Sequence, residues 1–108
     1  MRTLNIKRTY FDLIQNGRKT VEVRVGYNSI QRIQQGEQLL IQTGGGEMTV
    51  NVTAVRTYKN FEAMLATEHA SAIVPGKGSA EVLGILKSIY PPDKERFGVY
   101  AFQLEVVA

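Results

Sequence analysis

The sequence has no cysteine and no tryptophan, a single histidine, His69, and only three prolines. Without cysteine there is no disulfide scaffold, no thiolate zinc site and no cysteine nucleophile. An intracellular, cytoplasmic location is the simplest expectation. With one histidine, no multi-histidine metal centre can form, and a histidine-dependent triad would have to use His69. No metal and no cofactor are expected. No apolar run approaches the ~20 residues that span a bilayer. The opening residues, Met1-Arg2-Thr3-Leu4-Asn5-Ile6-Lys7-Arg8, are too polar for a secretory signal. A membrane is therefore not an expected partner.

What is present is an ordinary globular composition, 44% apolar and 21% charged over 108 residues, the size of one domain. A chain of this length buries enough surface to fold without staples. The net charge of +3 is unevenly spread. Residues 1–36 carry seven basic side chains against two acidic ones, whereas residues 37–108 carry six against eight. A basic first third suits an anionic partner such as RNA or a nucleotide. An ordinary solvated surface explains the charge equally well.

Periodicity places short alternating elements along the chain. Leu4 to Lys7 alternates as a strand. Thr9, with Asp12 three residues on, reads as the cap of a helix over 9–16 that buries Tyr10, Phe11, Leu13 and Ile14 and ends at Gly17. Lys19 to Val25 is a strand of period two, with Val21, Val23 and Val25 on one face and Thr20, Glu22 and Arg24 on the other. Asn28 reads as the cap of a short turn through Ile33. Strands follow at Glu37–Gln42 and Met48–Tyr58, joined through Gly44-Gly45-Gly46. The second has Val50, Val52, Ala54 and Arg56 on one face. Asn60 caps a helix over 60–68, and Ser79 caps one over 79–90 that Pro91-Pro92 stops. Gly98 to Val107 is the last strand. About five strands with two or three helices between them predict an α+β fold, its sheet curled into a small barrel and mostly antiparallel.

The stretch Gly17-Arg18-Lys19-Thr20-Val21-Glu22-Val23-Arg24 carries the most chemistry. Its polar face places a carboxylate, Glu22, between two cations, Lys19 and Arg24. Such neighbours hold a carboxylate ionised and can also donate to a phosphate or a base edge. A ladder of surface charges that merely supports a sheet is the plainer explanation.

The same stretch, written Tyr10-Phe11-x-x-Ile14-x-x-Gly17-x-Lys19-Thr20-x-Glu22-x-Arg24, resembles the opening signature of the ASCH domain family, small PUA-like domains. The resemblance continues through Ile33-x-x-Gly36-Glu37, Val50-x-Val52-x-Ala54-Val55-Arg56-x-Tyr58, Phe61-x-x-Met64-Leu65, Val74-Pro75-Gly76-x-x-Ser79-x-Glu81 and Gly98-Val99-x-Ala101-Phe102. It covers nearly the whole chain, so residues 1–108 read as a single ASCH/PUA-like domain. The resemblance implies a PUA-like β-barrel with a cleft faced by Lys19, Glu22 and Arg24, and binding of RNA or nucleotides. Some similar members hydrolyse an acylated cytidine nucleoside, using a lysine, a threonine and a glutamate, and others have been linked to RNA cleavage. Lys19 matches their lysine. Their threonine falls at Glu22, while Thr20 lies one strand period earlier. Their glutamate falls in the loop around residues 69–75, which holds no acid and is bordered by Glu68 and Glu81. The triad is thus broken at two of its three places.

Gly76-Lys77-Gly78-Ser79 puts a lysine and a hydroxyl at a helix start, where free N–H groups favour anions. The spacing of a nucleotide-binding phosphate loop is missing, and a turn with an N-cap is the plainer reading. The triple glycine reads as a hairpin turn, His69 as a helix-end residue rather than a general base, and Tyr58 and Tyr90 as half-buried core rather than base-stacking rings. The leading expectation is an RNA- or nucleotide-binding domain whose ligand meets Lys19, Thr20, Glu22, Arg24, Lys77 and Ser79. The rival is a small hydrolase acting on a modified nucleoside or on RNA, with Lys19 and Glu22 as its catalytic candidates.

Overall fold

The computed structural model describes residues 1–107. Five strands form one sheet: β1 (Arg2–Asn5), β2 (Val21–Val25), β3 (Gln38–Thr43), β4 (Gly46–Tyr58) and β5 (Val99–Val106), in the order β1-β3-β4-β5-β2. Only β1 and β3 pair in parallel; every other pairing is antiparallel. The sheet curls into a half-barrel whose two edges, β1 and β2, face each other. This is the expected α+β, mostly antiparallel architecture.

The two faces of the curl carry separate cores. Inside it, Leu4, Leu39, Ile41, Val50, Val52 and Phe102 enclose Phe11 and Ile14 of helix α1 (Arg8–Gln15) and Ile30 of the short helix α2 (Asn28–Gln31). On the outer face, Val21, Val23, Val25, Val99 and Ala101 pack under α3 (Phe61–Leu65), α4 (Ala70–Ile73) and α5 (Ser79–Ile89) through Phe61, Met64, Ile73, Val82 and Leu86. The alternation of β2 therefore does what its sequence demands, with valines beneath the helices and Glu22 and Arg24 on the face of the inner core. A 3-10 turn, Pro92–Phe97, leads into β5.

Several local expectations shift. The first strand is Arg2–Asn5 rather than Leu4–Lys7, because α1 begins at Arg8 and leaves Ile6 and Lys7 as the connection. Lys7, extended at φ −64° and ψ 146°, is the N-cap in place of Thr9, and no side chain caps the helix. Asp12 ion-pairs with Arg8 at 3.2 Å instead of closing a capping box. Asn60 does cap α3, its Oδ1 accepting from the Ala63 N–H at 2.7 Å. Tyr27 and Gly78, rather than Asn28 and Ser79, are the N-caps of α2 and α5. The expected short turn after Asn28 is α2, and the other expected helices are joined by α4 and the 3-10 turn, both too short for periodicity to announce. In β4 the register shifts between Val52 and Ala54. A bulge there flips the following residues, so Val55, not Ala54, continues the inner face and pairs with Phe102, while Arg56 turns to the outer face beside Ala101.

Gly17 ends α1 at φ +81°, letting the Gly17 and Arg18 N–H groups close back on Ile14 and Leu13. Gly26, just after β2, is required for a different reason. A Cβ there would stand 2.4 Å from the Phe97 carbonyl oxygen and 2.6 Å from the Tyr100 ring. Gly26→Ala should therefore destabilise the fold by about 1–3 kcal/mol, the usual cost of overpacking. Chemical denaturation checks this, with Gly84→Ala, which meets nothing within 4 Å, as the control that costs little.

Candidate functional site

An open sheet leaves unpaired backbone groups along both edges, and here the two edges meet. On β1 the Ile6 N–H donates to Gln42 of β3, so the preceding carbonyl, that of Asn5, points away from the sheet into the gap. On β2 the Thr20 carbonyl accepts from the Leu104 N–H of β5. Peptide groups alternate along a strand, so the Val21 carbonyl points into the gap too. These two outward carbonyls are met by two cations. The Arg24 Nη2 donates to Asn5 O at 2.9 Å, tying β2 to β1, and the Lys19 Nζ donates to Val21 O at 2.7 Å.

Lys19 reaches this place because the turn at Gly17 reverses the chain. The Leu13 carbonyl accepts from both the Arg18 and Lys19 N–H groups, which leaves Arg18 exposed and sends Lys19 inward. Its ammonium also donates to the Ile73 carbonyl at 2.7 Å, the last of α4 and without a partner inside that helix. It lies 3.1 Å from Glu22 Oε1. An ammonium has three donors, and all three are taken. The other carboxylate oxygen, Oε2, accepts from Arg24 Nε at 2.6 Å. Lys19 and Glu22 are 4% and 7% exposed, the only charged residues buried as whole residues among those described, although the Glu68 side chain on the outer face is also only 6% exposed. Burial acts most strongly on Glu22 and raises its pKa. The flanking charges of Lys19 and Arg24, with their hydrogen bonds, outweigh it and hold the carboxyl below the ordinary range.

This triplet forms the floor of a cleft of about 210 Å³ between the two sheet edges. Asn5, Ile6, Lys7 and Tyr10 form one wall; Ile73, Val74, Ile85, Leu86, Ile89 and Tyr90 form the other. Apart from its charged floor the lining is largely apolar. Arg24 keeps three N–H donors that no group among the described residues takes, and its side chain is 21% exposed. Each Glu22 oxygen keeps lone-pair capacity.

The structure thus brings together Lys19, Glu22 and Arg24, and separates them from the other three expected site residues. Thr20 lines a second concavity on the outer face, with Arg56, Glu68, His69 and Gln103. There Arg56 makes a bidentate pair with Glu68, which also accepts from the Tyr58 hydroxyl. Those hydrogen bonds, that from Arg56 foremost, lower the Glu68 pKa. His69 is the N-cap of α4. Lys77 and Ser79 are exposed, Lys77 lies 3.6 Å from Glu81, and their loop does not line the cleft. The far wall comes instead from the end of α4 and the C-terminal half of α5. Sequence reasoning left out Tyr10, Lys7 and that wall, apart from Tyr90, which it reads as half-buried core rather than a base-stacking ring. Tyr10 carries a signal in retrospect, since it precedes Phe11 of the buried stripe and its ring faces the Lys19 ammonium, 5.7 Å from the centroid.

A family model described as ASCH domain matches residues 4–108. Among solved structures, the crystal structure of the hypothetical protein PH0355, from Pyrococcus, is 28% identical and superposes with a TM-score of 0.87, covering 99% of this chain and all of that one. The solution NMR structure of protein PF0455 from Pyrococcus furiosus is also 28% identical, with a TM-score of 0.78, covering 98% of this chain and 96% of that one. No curated protein matches the chain.

Breaking a buried ion pair by removing one partner costs about 3–5 kcal/mol. Lys19→Met should lose up to that much in urea denaturation, since Arg24 still pairs Glu22 from the other side, and the loss should shrink in a Glu22→Gln background, where no buried carboxylate is left short of a cation. Because the folded Glu22 pKa is depressed, its contribution is complete above the unfolded value of about 4.3 and disappears as pH falls through the lower folded value. Stability measured against pH should therefore fall less steeply below about pH 4 in Glu22→Gln than in the wild type.

Proposed function

The chain belongs to the ASCH domain family and has its PUA-like fold, and on that premise we propose that it is a binding domain for RNA or a nucleotide, seating one base in the cleft between β1 and β2. The observation that carries this reading is the mixed character of the cleft. Apolar and tyrosine walls suit the faces of a planar ring, and the charged floor suits its edge. Glu22 accepts from an exocyclic amino or ring N–H group, and the free N–H groups of Arg24 donate to a base acceptor or to phosphate. Lys7, exposed at the mouth and without an ion-pair partner among the described residues, serves the phosphate. Lys19 acts through Glu22 rather than on the ligand, because its donors are spent. At about 210 Å³ the cleft is smaller than the ~300–1,000 Å³ of sites that engulf drug-sized molecules, so it takes a ring and leaves sugar and phosphate outside.

A hydrolytic role ranks below binding on the same geometry. A carboxylate pinned between two cations is a weak base, an ammonium with three acceptors has no donor left to activate a hydroxyl, and Thr20 lies outside the cleft. Turnover of an acylated nucleoside, followed by chromatography and abolished by Lys19→Ala, would reverse that order.

The binding reading is tested by fluorescence anisotropy with a fluorescein-labelled, random-sequence RNA hexamer at low and at physiological salt. The affinity should fall with a log–log slope of roughly −1.5 to −2, as two or three phosphate contacts on a single strand give. Arg24→Lys should lose nearly as much affinity as Arg24→Ala, since lysine cannot hold Glu22 and Asn5 while still donating outward. Absence of binding at low salt would overturn the reading.

A further inference from the structure

Five large apolar side chains are exposed among the described residues. Met1 and Val107 lie at the ends of the described chain. Of the other three, Ile89 and Tyr27 border one trough, and the Phe97 ring lies beside Tyr27. Scattered exposed apolar groups need no explanation, but a contiguous set does. Ile89 lines the cleft already described. Tyr27 lines a neighbouring hollow of about 270 Å³ that shares Asn5, Arg24 and Tyr90 with that cleft. The hydrogen bond from Arg24 to Asn5 is therefore a partition across a single trough running along the gap between β1 and β2.

Beyond the partition the hollow is lined by Tyr27 and Tyr90, and on the far side of Tyr27, outside that lining, stand Phe97 and two cations. The Tyr27 ring lies 5.8 Å from that of Phe97 and 6.4 Å from that of Tyr90. The Arg96 guanidinium stands 5.0 Å from the Phe97 ring centre and the Lys94 Nζ 5.8 Å from it. Lys94 also lies 3.8 Å from Asp93, but Arg96 has no carboxylate within ion-pair distance among the described residues. Exposed rings flanked by cations match the surface that single-stranded nucleic acid uses. Base faces stack on the rings whatever their sequence, and the cations meet the phosphates.

We propose that Tyr27 and Phe97 form the seat of a second base, so that the partner is a single-stranded RNA of at least two nucleotides rather than a free nucleotide. The proposal rests on the base-binding reading of the cleft. One base would occupy the cleft and its neighbour the tyrosine platform, with Arg24 between them where the joining phosphate passes. Arg96 and Lys94 would follow the backbone onward.

The test uses the full chain and two probes, the labelled RNA hexamer and the four nucleoside 5′-monophosphates. The hexamer should bind more tightly than any monophosphate, and more tightly than the same hexamer annealed into a duplex. Tyr27→Ala and Phe97→Ala should each weaken the hexamer by roughly 5- to 150-fold, the range of one base–aromatic stack, and leave the monophosphates unaffected. Tyr27→Phe should restore hexamer binding, which a lost hydroxyl contact would not allow. Arg24→Ala should weaken both probes. If the hexamer ignores both platform substitutions while Arg24→Ala still weakens it, the platform is overturned and the cleft reading stands. If the platform substitutions weaken the hexamer and Arg24→Ala does not, the cleft reading fails and the platform stands. A hexamer that does not bind at all overturns both.

Discussion

Everything about the site follows from the need to satisfy two strand edges that the half-barrel leaves open. A closed barrel would pair β1 with β2 through backbone hydrogen bonds. Here the strands stay apart, and side-chain cations replace the missing ladder: Arg24 on Asn5 O, Lys19 on Val21 O and on the end of α4. Two cations held this close need a counter-charge, and Glu22 between them supplies it. The price of burying two charges beside a half-buried third is repaid only because every donor of the ammonium and both oxygens of the carboxylate find partners. Among the described residues no buried side-chain nitrogen or oxygen is left without one.

That solution also decides the chemistry left over. Lys19 gives up its donors to the fold, so it is structural within the cleft, while Arg24, larger and forked, serves the fold with two N–H groups and still presents three. The division of labour comes from the number and geometry of donors on each side chain, not from charge, which the two share. The carboxylate is held ionised by the same neighbours that hold it in place, which makes it a steady acceptor and a weak base.

Much of this was legible in the sequence. The period-two pattern of Val21, Val23 and Val25 separated the face beneath the helices from the face of Glu22 and Arg24, and the gap residues on that face do converge. The motifs of the family resemblance, from Tyr10 to Phe102, fall within the residues 4–108 that the family model matches. What the sequence did not show depends on distant pairings. Thr20 shares the parity of Glu22, yet it precedes β2 and is held by Ala72 and Leu104, which places it over the other concavity. The loop carrying Lys77 and Ser79 has a composition suited to anions, but α5 presents its C-terminal half to the cleft, a choice made by Val82 and Leu86 in the outer core. The bulge after Val52 left no mark that alternation alone could read, since Ala54 and Val55 are both apolar.

The order of the strands sets when the cleft can come into being. Its β2 edge is supported by β5, with Val21 facing Gln103, and its β1 edge by β3, with Arg2 facing Leu39. As the chain leaves the ribosome, the β3–β4 hairpin can form from neighbouring residues and β1 can then dock beside it. Strand β2, made early, must wait for almost the last residues of the described chain before it gains its partner. The charged triplet sits on that waiting strand and on its approach. A nascent or C-terminally shortened chain therefore has neither an anchored Glu22 nor a second edge to face Asn5, and the capacity to hold a ligand arises in one step, when β5 closes the order.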